Sequence, residues 1–251
     1  MSYVMIISPA KKMNVVEGPP YVAGTPRFIN QTEELMHTVQ ALSYEDAKAL
    51  WACSDKLAML NYERFQTMDL TRNLTAAAIA YEGIQYQHLA PQVMSEQELS
   101  FLDQHLRILS GFYGVLRPFD GVVPYRLEMQ AKLAINGSNN LYEYWGKTLA
   151  AALAEETDTI VNLASVEYAK AITPYAKELG LRVITCLFGQ MVNGKYVQRS
   201  TEAKAARGTF ARWCAENKVE EIEDFSHFTE RGYALDESRS TEDTLVYVLM
   251  R

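Results

Sequence analysis

The sequence predicts a mixed α/β fold in one compact domain spanning residues 1–251, and three observations carry that expectation. Short apolar runs of β-forming residues recur at Tyr3–Ile7, Thr159–Leu163, Arg182–Leu187 and Leu245–Met250. Capped amphipathic segments alternate with them. No polar linker or internal repeat divides the 251 residues, and an apolar fraction of 48% is enough for a sizeable core.

Taken in order, Tyr3–Ile7 reads as a buried strand that delivers Ala10, Lys11 and Lys12 to a loop after Ser8-Pro9. Gly18 to Pro26, rich in Gly and Pro, reads as a surface crossing, and a helix follows over Ile29–Leu42. Ser43 with Asp46 caps a helix to about Cys53, and another runs from Ser54-Asp55 to about Thr67. Thr75–Ala80 fits helix or strand. Ser95 with Glu98 forms a capping box, and Phe101, Leu102, His105, Leu106 and Leu109 then recur at helical spacing. Leu141–Leu153 reads as one helix, and Pro174–Leu179 as a helical link closed by Gly180. Val192-Asn193-Gly194-Lys195 is a hairpin turn into Tyr196–Gln198. Thr201–Asn217 has an apolar face of Ala203, Ala206, Phe210, Trp213 and Cys214 beside Lys204 and Arg207.

A net charge of −7 argues against a general nucleic-acid coat, so any anion site must be local. Cys53, Cys186 and Cys214 lie far apart without a CxxC pair, and four scattered histidines lack ligand spacing. Neither a disulfide framework nor a metal site is expected, and no cofactor. The apolar N-terminal run is too short for a membrane span and its Lys pair follows rather than precedes it, so the expected location is the cytoplasm, with no membrane contact.

The densest feature is HLRILSGFYGVLRPFDGVVPYRLEM, His105 to Met129. Gly111, Gly114, Pro118, Gly121 and Pro124 punctuate it so closely that it is expected to be a specific folded loop with no continuing helix or strand. Several guanidiniums beside aromatic rings suit phosphate and planar rings. The alternative is a buried connection whose arginines pair with Asp120 and Glu128. Elsewhere Lys11 leaves a strand end, and Glu167 and Lys170 stand at i, i+3 after Asn162 and Ser165. Lys204 and Arg207 are one turn apart and precede Gly208. The pair of helices over about 43–67 fits either a helix-hairpin-helix, with Ser54, Lys56, Asn61 and Arg64 facing phosphate, or an ordinary αα-hairpin buried by Leu57, Leu60 and Phe65.

SPAK, SDKLAMLNYERF, the His105–Met129 block, LYEYWG, VNLASVEYAK and AKAARG together resemble the YaaA peroxide-stress family over nearly the whole chain. The resemblance implies a bacterial oxidative-stress protein that helps limit free iron and peroxide damage to DNA. It also implies a cantaloupe-like α/β fold with a basic cleft and a helix-hairpin-helix that binds DNA. DNA, single- or double-stranded, is then the expected partner, bound largely without sequence preference. Its contacts would be Ser54, Lys56, Asn61, Arg64, Arg107, Arg117, Arg126, Lys204 and Arg207, with Tyr113, Tyr125 and Trp145 stacking on exposed bases. The other reading is an enzyme on a small phosphorylated or nucleobase-like substrate, with Lys11, Arg126, Glu128, Glu167 and Lys170 as catalytic candidates. Both expect Lys11, Arg126, Glu167, Lys170 and Arg207 to converge on one concave surface; a third possibility makes these groups a buried ion network.

Overall fold

The computed structural model describes residues 3–16 and 22–250, so the expected surface crossing falls in part, at 18–21, outside the described residues. β1 (Val4–Ile7) is apolar throughout because all four residues are buried, as a strand at the middle of a parallel sheet requires. β2 (Lys12–Met13) follows, then α1 (Ile29–Gln40), α2 (Tyr44–Trp51) and α3 (Asp55–Gln66). The ambiguous stretch after them is both things in turn: β3 (Thr75–Ala76), one helical turn α4 (Ala77–Ala80) and β4 (Tyr81–Glu82), leading to α5 (Ile84–Leu89). α6 (Glu96–His105) opens on the expected capping box and passes directly into β5 (Leu106–Ser110), β6 (Gly114–Leu116) and β7 (Gly121–Val122). Then come α7 (Leu141–Trp145), α8 (Thr148–Ala154), β8 (Thr159–Asn162), α9 (Val166–Ala169), α10 (Thr173–Ala176) and β9 (Arg182–Val192). β10 (Lys195–Val197), α11 (Ser200–Asn217), β11 (Tyr233–Leu235) and β12 (Thr244–Leu249) complete the order.

The fold is mixed α/β, as the sequence predicts. Its main sheet runs β11-β12-β9-β8-β1-β5-β6, with β10 paired to β9. Five of these strands are mutually parallel: β1 pairs with β5 (Met5 opposite Leu106) and β8 (Met5 opposite Val161), β8 with β9, and β9 with β12. β6 and β11 are antiparallel edges. Ranked by chain order, the parallel strands lie 2-1-3-4-5, so the winding reverses between β1 and β8. In open sheets of this kind a crevice forms outside the carboxyl ends of the strands at that reversal. Aromatic packing stiffens the far half of the sheet, where Phe188 of β9 stacks on Tyr247 of β12 with centroids 4.9 Å apart.

Three sequence expectations fail here. The run from His105 to Met129 is not without strands, because Leu106, Arg107 and Ile108 pair with Met5, Ile6 and Ile7, and the chain returns as β6. For the same reason Leu106 and Leu109 belong to β5 rather than to a continuing helix: ladder hydrogen bonds along β1 outweigh a helical spacing of leucines. The single helix over Leu141–Leu153 is interrupted by Gly146 at φ 47°, a backbone glycine adopts readily.

Candidate functional site

Loops leaving the carboxyl ends of β1 and β8 meet at the point of reversal. The Ser165 amide donates to Ser8 Oγ at 2.8 Å, the two hydroxyl oxygens lie 3.2 Å apart, and Tyr86 Oη donates to the Ser8 carbonyl at 2.9 Å. Around this clasp opens a cavity of about 580 Å³, within the range of small-molecule sites. Its walls come from five places. Lys11 and Lys12 follow β1, Glu82, Gln85 and Tyr86 come from β4 and α5, the segment Tyr125–Glu128 crosses one side, and Lys204 and Arg207 descend from α11, with Glu167 of α9 below.

Two glycines make this assembly possible. A Cβ on Gly111 would lie 2.6 Å from the Leu127 carbonyl oxygen, so glycine lets the backbone carrying Arg126 and Glu128 pack against the turn after β5. A Cβ on Gly208 would lie 2.1 Å from the Gln85 carbonyl oxygen. Glycine there brings α11 onto α5 and sets Arg207 beside Gln85.

Charge in the cavity is shared rather than neutralised. Glu128 Oε1 lies 2.9 Å from an Arg126 terminal nitrogen and 3.1 Å from Lys11 Nζ, at ion-pair distance but off hydrogen-bond geometry. Glu82 is held by Lys12 at 2.7 Å, which keeps its carboxyl below the usual range. Burial pushes the Glu167 carboxyl up, and the nearby Glu128 charge adds to this, although the Gln130 amide donates to it at 3.3 Å. Burial also lowers the affinity of Arg207 for its proton. Five cationic side chains face three carboxylates, which gives the cavity a positive excess in an acidic protein.

Among the described residues, five buried side-chain polar atoms have no hydrogen-bond partner. Four belong to residues lining this cavity: Gln85 Nε2, Arg126 Nε, Glu128 Oε1 and Arg207 Nε. The fifth, Trp51 Nε1, belongs to a residue of an adjoining cavity of about 860 Å³, which shares Lys11 and Glu128 with the first and follows α2 to Ala52. Folded proteins rarely leave such groups unpaired, and each costs about 1–3 kcal/mol. Four of the five thus cluster at one cavity, although Glu128 Oε1 keeps Arg126 and Lys11 at ion-pair distance.

The structure thus brings together Lys11, Arg126, Glu128, Glu167, Lys204 and Arg207. It leaves Lys170 outside the lining, exposed at the end of α9 and without an ion pair to Glu167 among the described residues. Arg107 is not available to nucleic acid: it is buried against Glu156 and donates to the Asp103 carbonyl at 2.8 Å. Arg117 lies away from the cavity and pairs with Asp103 at 2.9 Å. Asn61 is buried and gives its amide to the Leu57 carbonyl at 2.7 Å. Tyr113, Tyr125 and Trp145 are at most 5% exposed, so they cannot stack on exposed bases; their rings fill the core instead.

The α2–α3 pair turns through Ala52, which adopts a left-handed conformation, to Ser54 at the N-terminus of α3. Phe65 is buried as expected of an αα-hairpin, but Leu57 and Leu60 point outward, and Ala58 and Asn61 take the inner face. Lys56 is exposed and Arg64 half-buried, while Lys48 holds Asp55 at 2.5 Å. Gln85, Tyr86 and Glu82 were not legible as site residues, since α5 carries no cap or strong period. In the sequence, Gly208 after Lys204 and Arg207 is the local hint of close packing there. Among the described residues, no group of three or more His, Cys, Asp or Glu is placed to hold a metal, and no helix is long and apolar enough to cross a membrane.

A family model described as peroxide stress protein YaaA matches residues 3–239 of this chain. Relatives named UPF0246 protein include one from Pediococcus pentosaceus, 47% identical over 244 residues and covering 97% of each chain. Another, from Lachnoclostridium phytofermentans, is 46% identical over 97% of this chain and 95% of its own length. A third, from Desulfitobacterium hafniense, is 43% identical over 244 residues.

Proposed function

We propose that this chain, which belongs to the YaaA peroxide stress protein family, binds DNA in the peroxide-stress response through the cavity between the β1 and β8 loops. A backbone phosphate, or a nucleotide drawn out of the stack, meets Arg126, Arg207, Lys11 and Lys204 there. The observation that carries this reading is the concentration of buried, unpartnered donors on Gln85, Arg126 and Arg207 around one opening. The adjoining cavity follows α2 as far as Ala52, where the hairpin begins; Ser54 and Lys56 beyond it, and Arg64 at a separate cavity beside Met68 and Arg72, would add contacts to neighbouring phosphates. Binding of this kind is largely blind to sequence and strongly salt-dependent. Limiting iron-driven damage is an indirect effect of that occupancy.

A second reading has one observation in its favour. The Glu167 carboxyl, raised by burial and facing Lys11 across the cavity, is suited to proton transfer on a small phosphorylated or nucleobase-like substrate, with Lys11, Arg126 and Glu128 holding it.

Equilibrium titration of fluorescein-labelled single- and double-stranded oligonucleotides, from about 50 to about 200 mM salt, tests the first reading. It expects binding that weakens steeply with salt and is competed by a nucleoside monophosphate. Absence of binding even at the lowest salt contradicts it. Conversion of the competitor to a new product supports the second.

A further inference from the structure

The hydrogen bonds beneath the cavity fix where one proton goes. Ser110 Oγ accepts the amides of Phe112 at 3.1 Å and Tyr113 at 2.9 Å. A hydroxyl has two lone pairs and one proton, so both acceptor positions of Ser110 are taken. Its own proton therefore goes to Tyr125 Oη, 2.6 Å away. Tyr125 Oη also lies 2.8 Å from Tyr81 Oη. If Tyr125 donated across that contact, the buried Tyr81 proton would be left with Ser110 Oγ alone, whose two acceptor positions the Phe112 and Tyr113 amides already fill, an arrangement folded proteins avoid. If Tyr81 donates instead, every group below the cavity is satisfied. Tyr125 then accepts two hydrogen bonds and keeps its own O–H for a partner on the cavity side.

We propose that Tyr125 is a binding residue of this cavity, a hydrogen-bond donor to an anionic oxygen of the ligand, with Ser110 and Tyr81 orienting its hydroxyl. Phe112 and Tyr113 pack its ring at centroid distances of 4.9 and 5.4 Å, so the hydroxyl is held rather than free to swing. Burial raises the Tyr125 phenol to about 12, but the bonds from Ser110 and Tyr81 oppose that rise, whereas Tyr81 and Tyr86 are pushed well above their ordinary range. Tyr125 is accordingly the best donor among them. With the guanidiniums of Arg126 and Arg207 and the amide of Gln85, it completes a set of donors suited to a phosphate group. This assignment rests on reading the cavity as an anion site.

The test uses the full chain with inorganic phosphate and, separately, labelled oligothymidylate, so that free phosphate and nucleic-acid phosphate are distinguished. Tyr125→Phe should weaken binding of whichever probe occupies the cavity by about tenfold or more, as loss of a hydrogen bond to a charged group does. Tyr81→Phe, which removes only one supporting bond, should weaken it a few-fold. Binding to the wild type should perturb the near-UV absorbance of tyrosine, a change reduced in folded Tyr125→Phe, where only Tyr86 and Tyr168 remain at the cavity. Wild-type affinity in that variant, with binding lost in Arg207→Gln, overturns the role of Tyr125 and leaves the anion site standing. Unchanged binding in Arg207→Gln overturns the anion reading itself. Should Tyr125→Phe not fold, the absence of a tyrosine perturbation in the wild type, or full affinity in Tyr81→Phe, overturns the proposal.

Discussion

The Ser165 amide donates to Ser8 Oγ at 2.8 Å, and through this bond the loop leaving β1 is fastened to the loop leaving β8 at the place where the sheet reverses its winding. Both loops carry cavity residues, Lys11 on one and Glu167 on the other. Ser8→Ala removes the acceptor and leaves the Ser165 amide unpaired. The expected cost is about 1 kcal/mol, seen as a fall in melting temperature of about 2–4 °C. Oligonucleotide affinity should fall with it, and an unchanged affinity would mean that the clasp does not shape the site.

Gly208→Ala probes the contact between α11 and α5. The new Cβ would meet the Gln85 carbonyl oxygen at 2.1 Å, and because that atom is backbone, whole helices must shift. Urea unfolding should reveal a loss of about 2 kcal/mol or more. The surviving folded protein should bind anions poorly, since Arg207 and Gln85 lose their mutual placement.

Arg107→Ala separates a structural arginine from the binding ones. It breaks the buried pair with Glu156, which retains 24% exposure. The loss should be about 2–3 kcal/mol, less than for a fully buried pair. The salt slope of DNA binding should not move. A reduced slope at full folding would return Arg107 to the interface.

Asp120 gives the fold a pH dependence of unusual sign. Burial raises its carboxyl to about 6 from 3.8, despite the hydrogen bond it accepts from the Arg117 amide at 2.8 Å. The folded state therefore holds this proton more tightly than the unfolded chain, so Asp120 opposes folding above about pH 6 and ceases to do so as pH falls through that value towards 4. The difference approaches about 3 kcal/mol at most. Asp120→Asn should gain relative to wild type at pH 8 and lose that advantage by pH 4, as measured by urea unfolding at both. A constant difference across this range contradicts the assignment.

Much of this architecture is legible in the sequence because the forces that set it are local. Val4–Ile7 and Thr159–Asn162 declare themselves as buried strands by being apolar at every position, and Ser95 with Glu98 announces the start of α6. What stays hidden depends on partners far along the chain. Leu106–Ser110 looks helical until β1 is beside it, and Arg107 looks like a phosphate ligand until Glu156 is. Lys11, Arg126, Glu128 and Glu167 are conspicuous as charged residues in loops or at element ends, Lys204 and Arg207 as a basic pair one turn apart before Gly208, and they do meet. Gln85 and the donor role of Tyr125 are not, since neutral side chains acquire meaning only from what leaves them unpaired.

The central claim is that the cavity at the β1–β8 reversal, more than the α2–α3 hairpin, grips phosphate. The salt dependence of oligonucleotide affinity tests it most directly, compared among wild type, Arg207→Gln and the hairpin double variant Lys56→Ala/Arg64→Ala. The account predicts that Arg207→Gln weakens binding by about tenfold or more and lowers the magnitude of the salt slope by about 1. The hairpin variant should lower the slope but cost less affinity. Wild-type affinity and slope in a folded Arg207→Gln protein, with binding abolished in the hairpin variant, would contradict it.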